Sequence, residues 1–244
     1  MEFLANLING MSLGSVYAII ALGYTMVYGI AKMLNFAHGD IIMVGAYICF
    51  CAVSYLGLPV IAGILLSVVG CTVLGIVIER LAYKPLRSAP SLNVLITAIG
   101  VSYFLQNAAL IIMGSDPKSF SMILSLPALH LFDGRLTISA TAVITILACV
   151  AIMVALTMFT GRTKMGKAMR ACSEDRDAAQ LMGINVNSTI SMVFAIGSGL
   201  AAIAGVLMCA AYPTLMPTTG SMPGIKAFTA AVLGGIGSIP GAAL

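Results

Sequence analysis

The sequence predicts an all-α, polytopic transmembrane helical bundle, and three observations carry that prediction. Apolar residues make up 60% of the chain and charged ones only 8%, against roughly 25% charged in a soluble domain. The mean hydropathy is +1.08, so the chain has too little polar surface to cover a core in water. Its apolar residues come in long unbroken runs, without the apolar–polar alternation of a membrane β-barrel strand. At roughly 20 residues per span the chain holds about seven spans.

These fall at 13–31, 41–58, 60–78, 92–113, 138–159, 190–211 and 225–244. The opening MEFLANLINGMSLG has no basic n-region and no small-residue cleavage site, so it reads as the start of a retained span rather than a signal peptide. Gly57 and Pro59 make a tight turn between the second and third spans, because proline cannot continue a helix past its first turn. Asn93, Thr97, Gln106 and Asn107 put uncharged polar groups in the fourth span, where they line a pathway or hydrogen-bond to neighbouring helices. The chain closes on Gly-Ala-Ala-Leu inside its last apolar run, which reads as a truncation.

Small residues recur at every fourth position in three places: Gly63, Ser67, Cys71 and Gly75; Gly197, Ala201, Gly205 and Cys209; Ala230, Gly234, Ser238 and Ala242. In lipid, helices associate through close backbone approach at such stripes. Packing within the chain is the expected use, with a subunit interface as the alternative. Five of the six cysteines lie in apolar segments without a C-x-x-C pair, so no metal site or disulfide is expected.

Basic residues set the orientation. Lys32, Arg80, Lys84, Arg87 and five residues of a single long loop fall on one side, nine of the twelve Lys and Arg; Lys118, Arg135 and Lys226 fall on the other. The positive-inside rule then puts the N-terminus outside and the long loop, 161–188, in the cytoplasm. A net charge of +4 reflects this retention on one face and not a nucleic-acid partner. The sequon at Asn187 is on the wrong side for glycosylation.

That loop, GRTKMGKAMRACSEDRDAAQLMGINVNS, is the only long polar interruption in the chain. Gly161 to Ala168 nearly spells a phosphate-binding loop, but Ala168 has no hydroxyl for Mg²⁺ and the segment follows a span rather than a strand. The chain therefore binds no nucleotide here. From Ser173 the run reads as a short helix: Ser173 as N-cap, Glu174, Asp175 and Asp177 at the positive end of the dipole, and Gly183 at C′. Ala178, Leu181 and Met182 give it a small apolar face, and Ala179 keeps it slim.

A second cluster, Asn35-Phe36-Ala37-His38-Gly39-Asp40, breaks the chain between the first two spans. Ionisable groups near membrane depth are usually functional, and broken helices in transporters often aim their ends at substrate. The plainer reading is a surface turn in which Asn35 or Asp40 caps the second helix and His38 is solvated. The run 234–241, with Gly235 and Gly237, would break the seventh span as a counterpart in the second half.

Asp177-Ala178-Ala179-x-x-x-Gly183 resembles the E-A-A-x-x-x-G motif of ABC importer permeases, with Asp in place of Glu. The neighbouring T-K-M-G-K-A-M-R-A and G-I-N-V, together with Leu34 to Asp40, Gly45-Ala-Tyr47 and A-V-L-G-G-I-G-S-I-P-G at 231–241, resemble the permeases of branched-chain amino acid importers, the H-type subunit of the Liv system. The similar blocks are spread over nearly the whole chain. The resemblance implies a single permease domain over 1–244 in a bacterial cytoplasmic (inner) membrane, continuing in relatives past Leu244. Its coupling helix, Glu174 to Gly183, would sit in a groove of an ATP-binding subunit. The implied partners are two cytoplasmic ATP-binding subunits, which alone hold ATP and Mg, a related M-type permease, and an external amino-acid-binding protein.

The expected activity is ATP-driven uptake of leucine, isoleucine and valine. With almost no charge inside the membrane, the passage should bind the zwitterion weakly, through helix ends and polar backbone. Asn35, Phe36, His38, Gly39, Asp40, Asn93, Thr97, Gln106, Asn107, Gly235 and Gly237 are its candidate lining. A gradient-coupled carrier using His38 and Asp40 as an ion relay is the rival reading. A membrane enzyme finds no nucleophile–base or metal constellation.

Overall fold

The computed structural model describes residues 2–87, 89–120, 129–131, 136–235 and 237–243. Among these the helices are α1 (Glu2–Ala31), α2 (His38–Ser54), α3 (Val60–Ile78), α4 (Ser91–Met113), α5 (Ala140–Arg162), α6 (Lys164–Glu174), α7 (Arg176–Leu181), α8 (Val186–Ala211), α9 (Ser221–Leu233) and α10 (Ile239–Ala243). A π-helical turn, Glu79–Tyr83, and a 3-10 turn, Lys84–Leu86, prolong α3. Two short antiparallel ribbons join β1 (Lys118–Ser119) to β4 (Thr214–Leu215) and β2 (Leu129–Leu131) to β3 (Leu136–Ile138).

Among the described residues five stretches are long and apolar enough to cross a bilayer: Asn6–Ala31, Val60–Leu86, Ser91–Met113, Ala140–Arg162 and Val186–Ala211. The other two expected spans are shorter. α2 has 17 residues, about 25 Å at 1.5 Å per residue, against a hydrocarbon core of about 30 Å. The seventh span breaks after Leu233, as the glycine-rich run predicts. Gly235 (φ 88°) and Gly237 (φ 100°) occupy backbone conformations that L side chains resist. The turn before α3 likewise depends on Gly57, at φ 63°.

Small residues decide which helices touch. The stripe Gly63, Ser67, Cys71 and Gly75 is buried, with Ser67 Oγ donating to the Gly45 carbonyl of α2 at 2.6 Å. A methyl on Gly45 would fall 2.7 Å from Ala202 Cα of α8, so α2 and α8 meet backbone to backbone. The second stripe is buried in α8, where Gly197 faces Gly23 and Val27 of α1, and Gly205 faces Ile42. Both stripes pack within the chain. The third is corrected: Ala230 is exposed, the helix ends before Ser238, and α9 buries Gly224, Ala227 and Ala231 instead. α4 and α5 form the outside, with Ile96, Phe104 and Leu147 among their exposed apolar side chains, a surface suited to lipid.

The contacts fix where α2 begins. His38 packs on Gly23 and beside Gly197, eight residues before the end of α1 and near the middle of α8. At 1.5 Å per residue the chain has returned about 12 Å from Ala31 before α2 starts. α9 begins at the same depth, since a Cβ on Gly39 would lie 2.7 Å from the Gly220 carbonyl oxygen. Two short helices therefore meet amino end to amino end in the interior, the discontinuous arrangement found at transporter sites.

One part of the charge count is revised. Lys118 lies in β1 and Arg135 lies outside the described residues. Lys226 is not in a connection: it sits on α9 with its ammonium 5.9 Å from the Tyr17 ring centroid.

Candidate functional site

The stretch that the sequence reads as one helix from Ser173 is two. α6 is N-capped by Thr163, whose Oγ1 accepts the Gly166 amide at 3.0 Å, and it runs through Ser173 to Glu174. Residues 161–168 thus form the end of α5 and the first turn of α6, not a phosphate cradle. Asp175 has extended backbone (φ −149°, ψ 118°), and its Oδ1 accepts the amides of Asp177 at 2.9 Å and Ala178 at 3.0 Å. Asp175 is therefore the N-cap of α7. Ser173 is inside a helix, with its hydroxyl donating to the Arg170 carbonyl, and Glu174 belongs to α6.

Gly183 does close α7 as expected. It has φ 83°, its amide donates to the Gln180 carbonyl, and the Ile184 amide donates to Ala179. This pair of bonds is a Schellman closure. Ala179 is buried against the body, while Asp177, Ala178 and Gln180 are exposed. Leu181 and Met182 are 89% and 83% exposed, unusual for large apolar side chains outside the membrane. The result is a short, doubly capped helix with an apolar tip pointing outward.

Charged groups tie this helix to the bundle. Arg176 donates to the Ala31 carbonyl, one of the last carbonyls of α1, which have no partner inside their own helix. Arg87 pairs with the fully buried Glu79 and also donates to Asn187. Ser191 Oγ donates to Glu79 Oε2 at 2.6 Å. The ends of α1, α3 and α8 are thus joined beside α7. Sequence reasoning used Arg176 and Arg87 only as positive-inside markers and missed Glu79. The available signal was an acid directly after the 19 uncharged residues of α3.

At mid-depth the surface-turn reading of 35–40 is overturned. Asn35, His38 and Asp40 are 3%, 1% and 2% exposed, and neither Asn35 nor Asp40 caps α2, whose N-cap is Ala37. Gln106 Nε2 reaches Asp40 Oδ1 at 2.8 Å, Ser221 Oγ at 3.2 Å and Ser102 Oγ at 3.3 Å. Two candidate residues far apart in sequence, Asp40 and Gln106, are thereby brought together, and the first residue of α9 joins them. Tyr83 Oη donates to Asn35 Oδ1 at 2.8 Å. Tyr24 stacks obliquely on His38 with centroids 4.6 Å apart, and Phe36 meets Phe228 at 5.4 Å.

Asn35 Nδ2, His38 Nε2 and Thr25 Oγ1 are buried without a hydrogen-bond partner. The amino ends of α2 and α9 bring positive dipole ends to the same place, and Asp40 supplies a carboxyl group in the first turn of α2. The junction can offer donors and acceptors to a small polar solute. His38 and Asp40 do not bond each other: the imidazole faces the Ile20 carbonyl and Asp40 takes Gln106. Among the described residues no three or more His, Cys, Asp or Glu could hold a metal.

Other candidates lie elsewhere. Asn93 is exposed and Thr97 half-buried, nearer the start of α4, and Asn107 donates to Tyr103 of its own helix at 2.8 Å. Gly237 packs on Gly29 of α1, and Gly235 shapes the same break.

The family model for the branched-chain amino acid transport system permease component matches residues 6–244. The chain belongs to this family. It is 44% identical to the high-affinity branched-chain amino acid transport system permease protein BraD of Pseudomonas aeruginosa, over all of this chain and 82% of the relative. It is 45% identical to the permease protein LivH of Escherichia coli K12, over 99% of this chain and 82% of the relative. The probable branched-chain amino acid transport permease protein LivH of Methanocaldococcus jannaschii is 30% identical over 92% of this chain and 71% of its own length. No solved structure matches. The chain is thus a multi-pass permease component of a larger transport system and not an enzyme.

Proposed function

We propose that this chain is one transmembrane subunit of an ATP-driven, binding-protein-dependent importer of leucine, isoleucine and valine. The observation that carries the reading is α7: an exposed, doubly capped helix bearing Asp177-Ala178-Ala179 and Gly183, with Leu181 and Met182 projecting from it. Such an apolar tip in a polar loop calls for a partner, and its size suits a groove on a cytoplasmic ATP-binding subunit. Residues 161–188 are the coupling loop of a single permease domain, 1–244. The N-terminus lies outside the bacterial inner membrane.

ATP and Mg belong to two partner subunits, and a related permease and an external binding protein complete the assembly. Closure of the ATP-binding subunits displaces α7. Arg176 passes the displacement to the end of α1 through the Ala31 carbonyl. The segment after Ala31 carries Asn35 to Asp40 into the interior, where they meet α9. Movement of α1 therefore opens or closes the junction of α2 and α9. Asn35, Phe36, His38, Gly39, Asp40 and Gln106 line the passage there. The Asp40 carboxyl and the positive dipole ends of α2 and α9 offer opposite polarities to the ammonium and carboxylate of an amino acid, so the solute passes without a deep binding site. Selectivity then resides in the external binding protein. Tight binding of leucine to the isolated permease would contradict this passage.

The relay reading has no comparable support, because His38 and Asp40 engage different partners. The deciding experiment is uptake in vesicles: leucine accumulation should need the ATP-binding subunits and internal ATP. Accumulation driven by an ion gradient in this chain alone would overturn the proposal.

A further inference from the structure

At the foot of α1, a cavity of about 350 Å³ opens between the end of that helix, the turn after α3 and the start of α4. Its polar lining is Lys32, Arg87, Arg176 and Ser91, and no carboxylate is among its described lining residues. Glu79 engages Arg87, while Asp177 lines the neighbouring cavity beside α7. Burial, and then the nearby Arg87 guanidinium, hold the Arg176 pKa below its ordinary value. Arg87 Nε is buried with no hydrogen-bond partner. Lys32 has φ 51°, the only positive φ on a non-glycine among the described residues, at a helix end where glycine is usual. An anion is what this arrangement lacks.

The rest of the lining says which kind of anion. Tyr28, Met33, Leu34, Leu86 and Val94 give the cavity an apolar wall. It adjoins the outer face of α4, where Leu92, Ile96 and Ile99 are exposed. A free phosphate has no use for either surface. A phosphodiester joined to acyl chains uses both, with the phosphate among the cations and the chains along α4.

We propose that this cavity is a binding site for the headgroup of an acidic phospholipid, held by Lys32, Arg87 and Arg176. Basic pockets between transmembrane helices at the membrane surface take such headgroups. The site rests on membrane residence alone and not on the transport reading. Because Arg176 also holds the Ala31 carbonyl, the bound lipid steadies the link between α7 and α1.

The test is lipid retention by the chain purified with its partner subunits, read by native mass spectrometry. Nanodiscs containing phosphatidylglycerol are compared with nanodiscs of phosphatidylcholine. The native chain should keep a phosphatidylglycerol through delipidation. Lys32→Gln should weaken retention about fivefold, as expected for one basic residue near the surface, and Lys32→Glu should weaken it further. Lys164→Gln, at an exposed cation that does not line the cavity, should behave as native. Millimolar inorganic phosphate should not displace the lipid. A second measurement guards against misfolding: Ser91→Cys should react more slowly with a maleimide in phosphatidylglycerol vesicles than in phosphatidylcholine. Unchanged retention in both Lys32 variants, equal retention of phosphatidylcholine, displacement by phosphate, or equal maleimide rates would each overturn the assignment.

Discussion

Replacing Asp175 with alanine removes the acceptor of two α7 amides at once, those of Asp177 and Ala178. Loss of an N-cap costs roughly 0.5–2 kcal/mol. α7 has only six residues, well short of the ~12–15 at which an isolated helix becomes marginally stable. It has little propagation energy in reserve, so the upper part of the range applies, about 1–2 kcal/mol, or a five- to thirtyfold fall in the ordered population. The assay is amide exchange over 176–184, with substrate-stimulated ATPase of the assembled transporter as the functional readout. Asp175→Ala should speed exchange at Asp177 and Ala178 by that factor and lower stimulation. Asp175→Asn should preserve both, because asparagine caps as well as aspartate. Ser173→Ala should leave α7 unchanged, since its hydroxyl serves α6. Native exchange in Asp175→Ala, or equal effects at Ser173 and Asp175, would refute the capping argument.

Three further outcomes follow from the same contacts. Gly183→Ala meets no atom within 4 Å, so its cost is the left-handed backbone alone, about 1–2 kcal/mol; pull-down should show weaker association with the ATP-binding subunits, with Gly183→Asn less affected. Gly39→Ala places a methyl 2.7 Å from the Gly220 carbonyl, a backbone atom that cannot swing aside, and overpacking of this kind costs about 1–3 kcal/mol. Thermal melting in detergent should fall by several degrees, whereas Gly100→Ala, with nothing within 4 Å, should melt as native. Gln106→Leu removes the side-chain amide that donates to Asp40 at a cost of about 1–3 kcal/mol, and adding Asp40→Leu should recover melting but not transport.

Hydropathy made the helical class legible, because only helices and closed barrels satisfy the backbone in lipid and unbroken apolar runs are not the alternating pattern of a barrel strand. The short helix that ends at Gly183 was legible in kind, since Gly183 and the acids before it are local signals. Its start was not. Ser173 and Asp175 are both acceptable caps, and only the extended backbone at Asp175 decides between them. The depth of the 35–40 cluster was hidden for a different reason. Lys32 marks a membrane surface but cannot say whether the chain then leaves the membrane or turns back into it. That is set by Gly23 against His38 and by Gly39 against Gly220, contacts between residues up to most of the chain apart. Glu79 was missed because its pairing with Arg87 and Ser191 joins three elements that no spacing rule connects.

The most direct measurement is radiolabelled leucine uptake into proteoliposomes holding this chain with its partner permease, the ATP-binding subunits and an external binding protein. Uptake should appear only with ATP on the side of α7 and should fall when Asp175 or Gly183 is replaced. Leucine accumulation without ATP under a proton or sodium gradient would contradict the coupling of α7 to the α2–α9 junction.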